Sequence, residues 1–341
     1  MSKSTTLTTV EAPAPTISRW SEDAQRVYFD RADTLADLKK ASKSANTMRG
    51  YASDWSQFRL WAAGQGIDIP PADQLIEAIP PALVLSYMAD RRHQVTSATL
   101  GRHLAAIRYW HRQARMISPT DHPDVAETLA GVVRLHRYDT DQATPIFLDQ
   151  LRAMVNTYAD DTIGRRNRSL LLTGWWSGMR RSELVGLDVA HLADYPEGIL
   201  LKLPRSKTDQ VGAGRSIPIH RRQDETLCPV TALDTWKASA AITSGAVYRC
   251  IDRWGNVSGR RLSAQAVSLV VKDAVRSIGL DPTGFSGHSL RAGWISECSK
   301  RKIPKMAIRA VTGHSSDAMV DLYGRTSELF EQSAGAYFTD V

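Results

Sequence analysis

The last fifth of the chain reads Gly-His-Ser-Leu-Arg at 287–291, then Thr-Gly-His-Ser-Ser at 312–316, and then a single tyrosine, Tyr323. His288 and Arg291 are three residues apart, so they share one face of a helix. His314 follows, and Tyr323 comes nine residues after it. Two imidazoles, a guanidinium and a phenol held close together suit attack on a phosphodiester by the tyrosine.

Length and composition indicate a globular chain of about two domains, with 341 residues of which 43 % are hydrophobic. Residues 1–18 are rich in Ser, Thr, Ala and Pro and are expected to form a disordered tail, not a secretory signal. The sequence has no apolar run long enough to span a membrane. Its three cysteines lack any metal-ligand spacing, which argues against a zinc site or disulfide framework and favours a reducing cytoplasm.

The charge of the chain points to a polyanionic partner. The net charge is +7 and the pI is about 9.4, which is most simply explained by nucleic acid binding. Between residues 91 and 115 there are six Arg and three His but no Asp or Glu. A solvated surface usually mixes both signs, so this stretch is predicted to contact DNA or RNA. The alternative is an ordinary basic surface.

The first part of the chain has the periodicity of an all-helical domain over residues 19–137. Helices are predicted over 21–40, from Ser44 to about residue 64, over 80–92, from a Thr96-Ser97 cap to the break at Pro119–Pro123, and over 125–136. Residues 138–146 are polar and aperiodic and are interpreted as an interdomain linker.

The remaining residues, 147–341, are predicted to form a mostly helical domain with a small antiparallel β-hairpin, so the fold class is mainly α. Two short strands are expected at 198–203 and 215–219. Helices are expected over 165–187 with an interruption at Gly178, and over 229–241, 262–278, 286–300, 306–312, 318–323 and 326–338.

Three further residues have the chemistry that phosphodiester cleavage requires. Arg180 and Glu183 lie on one helical face, where Glu183 can orient a neighbouring side chain, and Lys207 follows the first predicted strand. The sequence shows no carboxylate cluster suited to Mg²⁺, so we expect no metal and no other cofactor, with arginines neutralising the phosphate. Each residue alone also has an ordinary structural explanation: a surface ion pair, a loop lysine, a packed histidine or tyrosine.

The order and spacing of these residues resemble the tyrosine recombinase (phage integrase) family, in the two-domain layout of its Cre- and Xer-type members. The family pattern is Arg in a Gly-Leu-Arg-x-x-Glu-Leu context, Lys on a β-hairpin, His-x-x-Arg, Gly-His or Gly-Trp, and a Tyr nine residues later. This chain matches it with Gly178-Met-Arg180-Arg-Ser-Glu183-Leu184, Lys207, His288-Ser-Leu-Arg291, Gly313-His314 and Tyr323. The resemblance covers about residues 20–341.

The resemblance implies a site-specific DNA recombinase that works through a 3′-phosphotyrosyl bond formed by Tyr323, without ATP. Arg180, Arg291 and His314 would hold the phosphate, Lys207 would protonate the leaving oxygen, and His288 would assist proton transfer. The implied partners are a double-stranded recombination site and further copies of the chain, two per site and four in the synapse, joined by the C-terminal helix 326–338. A cytoplasmic, nucleoid-associated protein of bacterial or phage origin is expected.

Two alternatives remain open at this point: a type IB topoisomerase-like enzyme that only relaxes supercoils, and a catalytically silent DNA-binding protein on the same fold. In each case, residues at helix starts or on basic helices would contact DNA, mostly through phosphates. The candidates are Thr47, Arg49, Arg91, Arg92, Arg102, His103, Arg108, Arg112, Arg261 and Gln265.

Overall fold

A computed structural model describes residues 21–31, 34, 38, 43–75, 77–135, 143–204 and 214–321. The chain divides into two compact units, Met1–Thr140 and Asp141–Val341. The division falls inside the predicted linker 138–146, most of which lies outside the described residues, as do the predicted tail and the predicted helix 326–338. Across the described ranges, each helix lacks the length or the apolar character that crossing a membrane requires.

The regular elements described in the N-terminal unit are helices, as predicted, and 3₁₀ turns. Its helices are α1 (Glu22–Asp30), α2 (Ala45–Gly64), α3 (Pro81–Arg91), α4 (Ser97–Gln113) and α5 (Pro123–Leu135), with short 3₁₀ turns at Ala72–Gln74 and Pro119–Asp121. The predicted cap at Thr96 is confirmed, since its hydroxyl accepts from the amide of Thr99 at 3.2 Å. Ser44, where the second helix was predicted to start, is also an N-cap: its hydroxyl accepts from the amide of Thr47 at 3.1 Å. The core includes the buried side chains of Trp55, Phe58, Tyr87, Leu100 and Ile107.

The C-terminal unit combines helices with two small antiparallel sheets, which confirms the mainly α fold class. Its helices are α6 (Leu148–Asn156), α7 (Thr162–Ser177), α8 (Arg181–Val185), α9 (Pro229–Ser239), α10 (Ala264–Ser277), α11 (His288–Lys300) and α12 (Lys305–Thr312), with 3₁₀ turns at Val189–His191 and Glu225–Leu227. Residues 317–321 are helical up to the edge of the described range. Trp175, Trp236 and Tyr248 fill its core.

The predicted hairpin is present, and a third strand extends it. Strands β1 (Leu192–Tyr195), β2 (Gly198–Leu203) and β3 (Arg215–His220) form one sheet in that order. A second hairpin joins β4 (Arg249–Ile251) to β5 (Val257–Arg261). Sequence reasoning missed β1, β4 and β5 because these strands are short and partly exposed, so they lack a long alternating apolar pattern.

The predicted interruption at Gly178 is confirmed and has a backbone cause. Helix α7 ends at Ser177, and Gly178 takes the left-handed conformation with φ of 56°, which glycine adopts without steric cost. The chain then turns, and Arg180 becomes the N-cap of α8. This reversal brings Arg180 to the C-terminal end of a largely buried helix.

The beginning of the C-terminal unit is fixed against α11. The amide of Thr144 donates to the carbonyl of Gly284 at 3.0 Å, and that of Ile146 donates to Ser289 at 3.2 Å. The Ile146 carbonyl accepts from the Trp175 indole at 2.8 Å. Any β-carbon on Gly293 would overlap the backbone of Ile146. Residues 144–146 therefore lie directly on the helix that contains His288 and Arg291.

We expect Gly293→Ala to destabilise the C-terminal unit by about 3 kcal/mol, because the added methyl forces the Ile146 backbone away from α11. Urea denaturation followed by fluorescence measures this change. Gly101→Ala is the matched control, since this helical position has open space around it, and it should be neutral or slightly stabilising. Equal midpoints for wild type and Gly293→Ala would contradict the close packing.

Candidate active site

Arg180 is held by Glu183 through two hydrogen bonds. The Arg180 amide donates to Glu183 Oε2 at 2.9 Å, and Arg180 Nη1 donates to Oε1 at 2.9 Å. The Glu183 side chain is only 6 % exposed and that of Arg180 is 18 % exposed. The predicted role of Glu183 in orienting a neighbour is therefore visible in the geometry: one carboxylate caps α8 and fixes the guanidinium.

Arg291 is buried at the ends of two helices. Its Nη1 donates to the carbonyl of Gly178 at 2.7 Å and to that of Thr312 at 2.8 Å. These carbonyls lie at the C-termini of α7 and α12, where the helix dipole favours a cation. The residue is 1 % exposed. The ends of two helices thus stabilise this guanidinium in the interior of the unit.

Hydrogen bonding fixes the tautomer of His314. The Thr312 hydroxyl donates its proton to the carbonyl of Ile308 at 2.8 Å, so it must accept from His314 Nδ1, 2.9 Å away. His314 Nε2 is then the lone-pair nitrogen and accepts from Arg291 Nη2 at 2.8 Å. The sequence predicted that His314 donates to a phosphate. In this arrangement the ring instead orients Arg291, and donation from Nε2 would require a second ring proton.

The surroundings of His314 disfavour that second proton. Burial, followed by the charges of Arg291 and Arg180 and smaller contributions from His288 and Arg215, lowers the pKa of His314 to about 3. The ring is therefore neutral at physiological pH.

This depressed pKa predicts a loss of stability on acidification. In the unfolded chain a histidine binds a proton below pH about 6.5, while native His314 stays neutral, so stability falls as the pH drops from about 6.5 toward 3. At pH 5 the loss from this one group should be about 2 kcal/mol. We expect His314→Gln to show a flatter stability profile than wild type in urea denaturation at pH 7, 6 and 5. Parallel profiles would contradict a neutral buried ring.

His288 begins α11 on the same side as these groups. The residue keeps an exposed edge, but desolvation by the protein around the ring, followed by the charges of Arg291, Arg180 and Arg181, lowers the pKa of His288. At neutral pH the ring can therefore accept a proton. Arg181 points to a different neighbour: its Nη1 donates to the Ser268 hydroxyl at 3.0 Å. Its side chain also lies close to Gly287, where a bulkier residue would be crowded. Arg181 thereby fixes the start of α11.

Two residues of this site were missed in the sequence. Thr312 holds both Arg291 and His314, and Arg215 donates from Nη2 to Glu183 Oε2 at 3.1 Å. Thr312 directly precedes Gly313-His314, so its place beside a capping glycine was an available signal. The contact between Arg215 and Glu183 could not be predicted in this way, because the two residues are 32 positions apart and Arg215 looks like an ordinary basic residue of a strand.

Lys207 and Tyr323 lie outside the described residues. The structure describes the strands on either side of the segment that contains Lys207, β2 and β3. It also describes the chain up to Asp321, two residues before Tyr323. The roles of both residues remain predictions. Among the described residues, Arg180, Glu183, His288, Arg291 and His314 are the predicted catalytic positions that can be placed.

The basic helix of the N-terminal unit is partly neutralised by carboxylates from elsewhere in the chain. Asp54, on α2, is buried and accepts two hydrogen bonds from Arg102, at 2.8 and 2.9 Å. His103 is 1 % exposed, and its Nδ1 lies 2.8 Å from the Tyr87 hydroxyl. Burial is the main cause of a lowered pKa for His103. The prediction that His103 contacts DNA is therefore wrong for this fold, since the ring is part of the core.

The other predicted DNA contacts differ in whether the side chain is bonded to another part of the protein. Several are tethered within the protein: Thr47 to Ser44, Arg91 to Gln94, Arg92 to Ala89, Arg108 to Thr120 and Asp121, Arg112 to Asp121, and Arg261 to Val185, Leu187 and Asp188. Arg49 and Gln265 are exposed. Arg261 thus serves to join β5 to the end of α8, while Arg49 and Gln265 remain available to a ligand.

This arrangement can bind and polarise an anion. Two guanidinium groups, each fixed in direction, and two neutral imidazoles share a site at the C-termini of α7 and α12. Such a set matches a phosphate, which needs bidentate donors and a nearby proton carrier. Within the described residues, no group of three or more His, Cys, Asp or Glu side chains could hold a metal ion.

Comparison of the sequence with known proteins gives concordant matches. The model of the phage integrase family matches residues 146–329. An integrase/recombinase xerD homolog of Selenomonas ruminantium is 30 % identical over 297 residues, covering 86 % of this chain and 85 % of that protein. A tyrosine recombinase XerC of Pseudomonas entomophila (strain L48) is 29 % identical over 307 residues, covering 86 % and 89 %.

Solved structures share the fold at low sequence identity. A lambda integrase dimer bound to a COC′ core site has a TM-score of 0.54 and 16 % identity, covering 90 % of this chain and 83 % of that one. The XerH site-specific recombinase bound to a palindromic difH substrate, in a post-cleavage complex, has a TM-score of 0.55 and 14 % identity, covering 76 % and 73 %.

Proposed function

The chain belongs to the phage integrase family and is a tyrosine site-specific recombinase, and from this premise we propose that Arg180, His288, Arg291 and His314 form its phosphate-cleaving centre with Lys207 and Tyr323. The observation that carries this proposal is the convergence of the first four around the ends of α7 and α12. Charge neutralisation by fixed donors is usually the largest contribution to such catalysis.

In the proposed reaction, the phenolic oxygen of Tyr323 attacks the scissile phosphorus. The bond to the 5′-oxygen breaks, leaving a 3′-phosphotyrosyl bond and a free 5′-hydroxyl. Arg180 and Arg291 stabilise the extra negative charge of the transition state, each aimed by its own anchor, Glu183 or His314. Neutral His288 assists in moving the tyrosine proton, and Lys207 protonates the leaving oxygen. The 5′-hydroxyl of a partner strand then reverses the reaction.

The proposed partner is a double-stranded recombination site, clamped by both units, with the protein acting in the nucleoid. Structural neighbours include a lambda integrase dimer on a core site and a lambda integrase tetramer bound to a Holliday junction, the latter with a TM-score of 0.51. By analogy we propose two protomers per site and four in the synapse. The predicted helix 326–338 would link neighbouring protomers, since its Leu329, Phe330 and Phe338 suit an apolar interface.

Exchange of strands between two duplexes tests this function. Two DNA fragments of different length, each with candidate sites from beside the gene, are incubated with the protein in EDTA. We expect recombinant fragments of new lengths, because guanidinium groups are proposed to neutralise the phosphate. Relaxation of a supercoiled plasmid without exchanged fragments would instead favour the topoisomerase-like alternative. Tight binding with neither outcome would favour the silent DNA-binding protein.

Arg49 provides a test of DNA contact by the N-terminal unit. We expect Arg49→Gln to weaken duplex binding similarly on all sequences and to reduce the slope of log K against log salt by about one, because one phosphate contact is lost. Fluorescence anisotropy at several salt concentrations measures this slope. Arg26→Gln is the control, because Arg26 is also an exposed arginine of this unit but already pairs with a carboxylate, that of Asp23, at 3.3 Å. An unchanged slope for Arg49→Gln would contradict the assigned contact.

A further inference from the structure

Arg215 is a third guanidinium beside the proposed phosphate site. It begins β3, and its side chain is 11 % exposed. Its Nη2 donates to Glu183 Oε2, the same oxygen that accepts from the amide of Arg180. Its Nε and Nη1 are buried and lack a hydrogen-bond partner in the described part of the chain. Burying a cation with two unpaired donors lowers the stability of the fold, so the presence of Arg215 at this position calls for an explanation.

Gly313 allows Arg215 to reach this position. The glycine has φ of 68°, and a β-carbon on it would overlap Nη1 of Arg215. The guanidinium therefore lies against the turn that leads from α12 to His314. Arg215 thus touches two of the segments that contain site residues, the turn before His314 and, through Glu183, the start of α8.

The charges around Glu183 show what Arg215 contributes. The carboxylate faces two guanidinium groups, Arg180 on one side and Arg215 on the other. With Arg180 alone, the carboxylate would cancel the positive charge that it orients. With Arg215 present, the three groups have a net charge of +1, so Arg180 remains both fixed and effectively positive.

We propose that Arg215 is a positioning residue for Arg180: it neutralises Glu183 and locks its carboxylate, so that Arg180 meets the phosphate in one orientation with its charge undiminished. This inference rests on the proposed function of Arg180. Arg215 acts through Glu183, because its guanidinium hydrogen bond within the described part of the chain goes to that carboxylate.

The rate of covalent adduct formation on nicked duplex DNA tests this role. We expect Arg215→Met to slow the reaction about 10- to 100-fold, as loss of an outer-shell partner does at metal sites, with duplex affinity changed less than about threefold. Arg215→Lys, which restores the charge, should recover part of the rate. Arg166→Met is the control, because Arg166 is also buried but bonds to Asn167 and the Arg249 carbonyl.

A double-mutant cycle separates positioning from a general structural effect. In a Glu183→Gln background there is no carboxylate to neutralise, so adding Arg215→Met should change the rate less than about threefold. Additive losses, or a wild-type rate in Arg215→Met alone, would overturn the inference.

A second readout does not depend on DNA cleavage. ¹⁵N spectra of the guanidinium groups give this readout, with the Arg180 signals identified by their loss in Arg180→Lys. In wild type, the Nη protons of Arg180 should give separate signals because Glu183 keeps the guanidinium from rotating. In Arg215→Met, these signals should average. Unchanged Arg180 signals would overturn the inference. Loss of these signals, with no adduct from wild type on any substrate, would support the positioning role while contradicting the proposed function.

Discussion

Tyr323→Phe is expected to abolish the covalent protein–DNA adduct, by at least about 10⁴-fold in rate, while leaving duplex affinity within about twofold of wild type. The substitution removes one oxygen, the nucleophile that the proposed reaction requires, and leaves the aromatic ring. Nicked duplexes that carry candidate sites trap the intermediate, because the strand between nick and cleavage point diffuses away. A slow-migrating species on a denaturing gel then reports the bond.

Tyr195→Phe is the matched control for this experiment. Tyr195 lies on β1 and its side chain is exposed, so its hydroxyl should be dispensable. Adduct formation by Tyr323→Phe at the wild-type rate would show that another residue is the nucleophile. Loss of the adduct in both variants would point to a general effect of removing tyrosine hydroxyls.

Arg291→Lys is expected to have the second largest effect, on activity and stability together. The single ammonium group of lysine cannot make all the hydrogen bonds of the Arg291 guanidinium, which donates to the carbonyls of Gly178 and Thr312 and to His314 Nε2. We expect the rate of adduct formation to fall about 10²- to 10³-fold, as when a fixed oxyanion donor is removed. Leaving buried acceptors unsatisfied should also lower the free energy of unfolding by about 3 kcal/mol.

Measuring both quantities distinguishes the two consequences. Arg166→Lys is the control, since it alters a buried arginine elsewhere in the same unit. If Arg291→Lys lost stability but kept the wild-type rate of adduct formation, Arg291 would be a structural residue and the proposed phosphate contact would be wrong.

The parts of this fold that sequence reasoning predicted are those set by neighbouring residues. Ser44 and Thr96 cap their helices because a hydroxyl next to the first turn can reach a free amide, a relation contained within four residues. Gly178 ends α7 because glycine enters the left-handed conformation readily. The pairing of Arg180 with Glu183 is equally local, although Arg180 is the N-cap of α8 and does not lie on a helical face as predicted. Motif spacing then identified the candidate catalytic positions.

What sequence reasoning missed depends on residues that only the fold brings together. The stretch 91–115 contains no acid, yet Asp54 and Asp121 reach it from other segments and bind Arg102 and Arg108. His103 lies in the core, 2.8 Å from the Tyr87 hydroxyl on another helix. In the same way, Arg215 meets Glu183 across 32 positions.

The tautomer of His314 shows a further limit. The motif Gly313-His314 indicates a histidine at the phosphate, but not which nitrogen has the proton. That depends on Thr312, whose hydroxyl is already committed to the carbonyl of Ile308. The sequence predicted that His314 donates a hydrogen bond to the phosphate, whereas in the structure His314 Nε2 accepts one from Arg291.

The attachment of residues 144–146 to α11 has a mechanical consequence. Tension on the predicted linker, residues 138–146, would enter the C-terminal unit at Thr144 and Ile146. Their amides donate to the carbonyls of Gly284 and Ser289, which lie on either side of His288 in the chain. Because the backbone of Ile146 packs directly against Gly293, residue 146 cannot move toward α11 without a steric clash. We therefore expect a load applied through residues 144–146 to reach the first turn of α11, through Ser289, and helix α7, through Trp175.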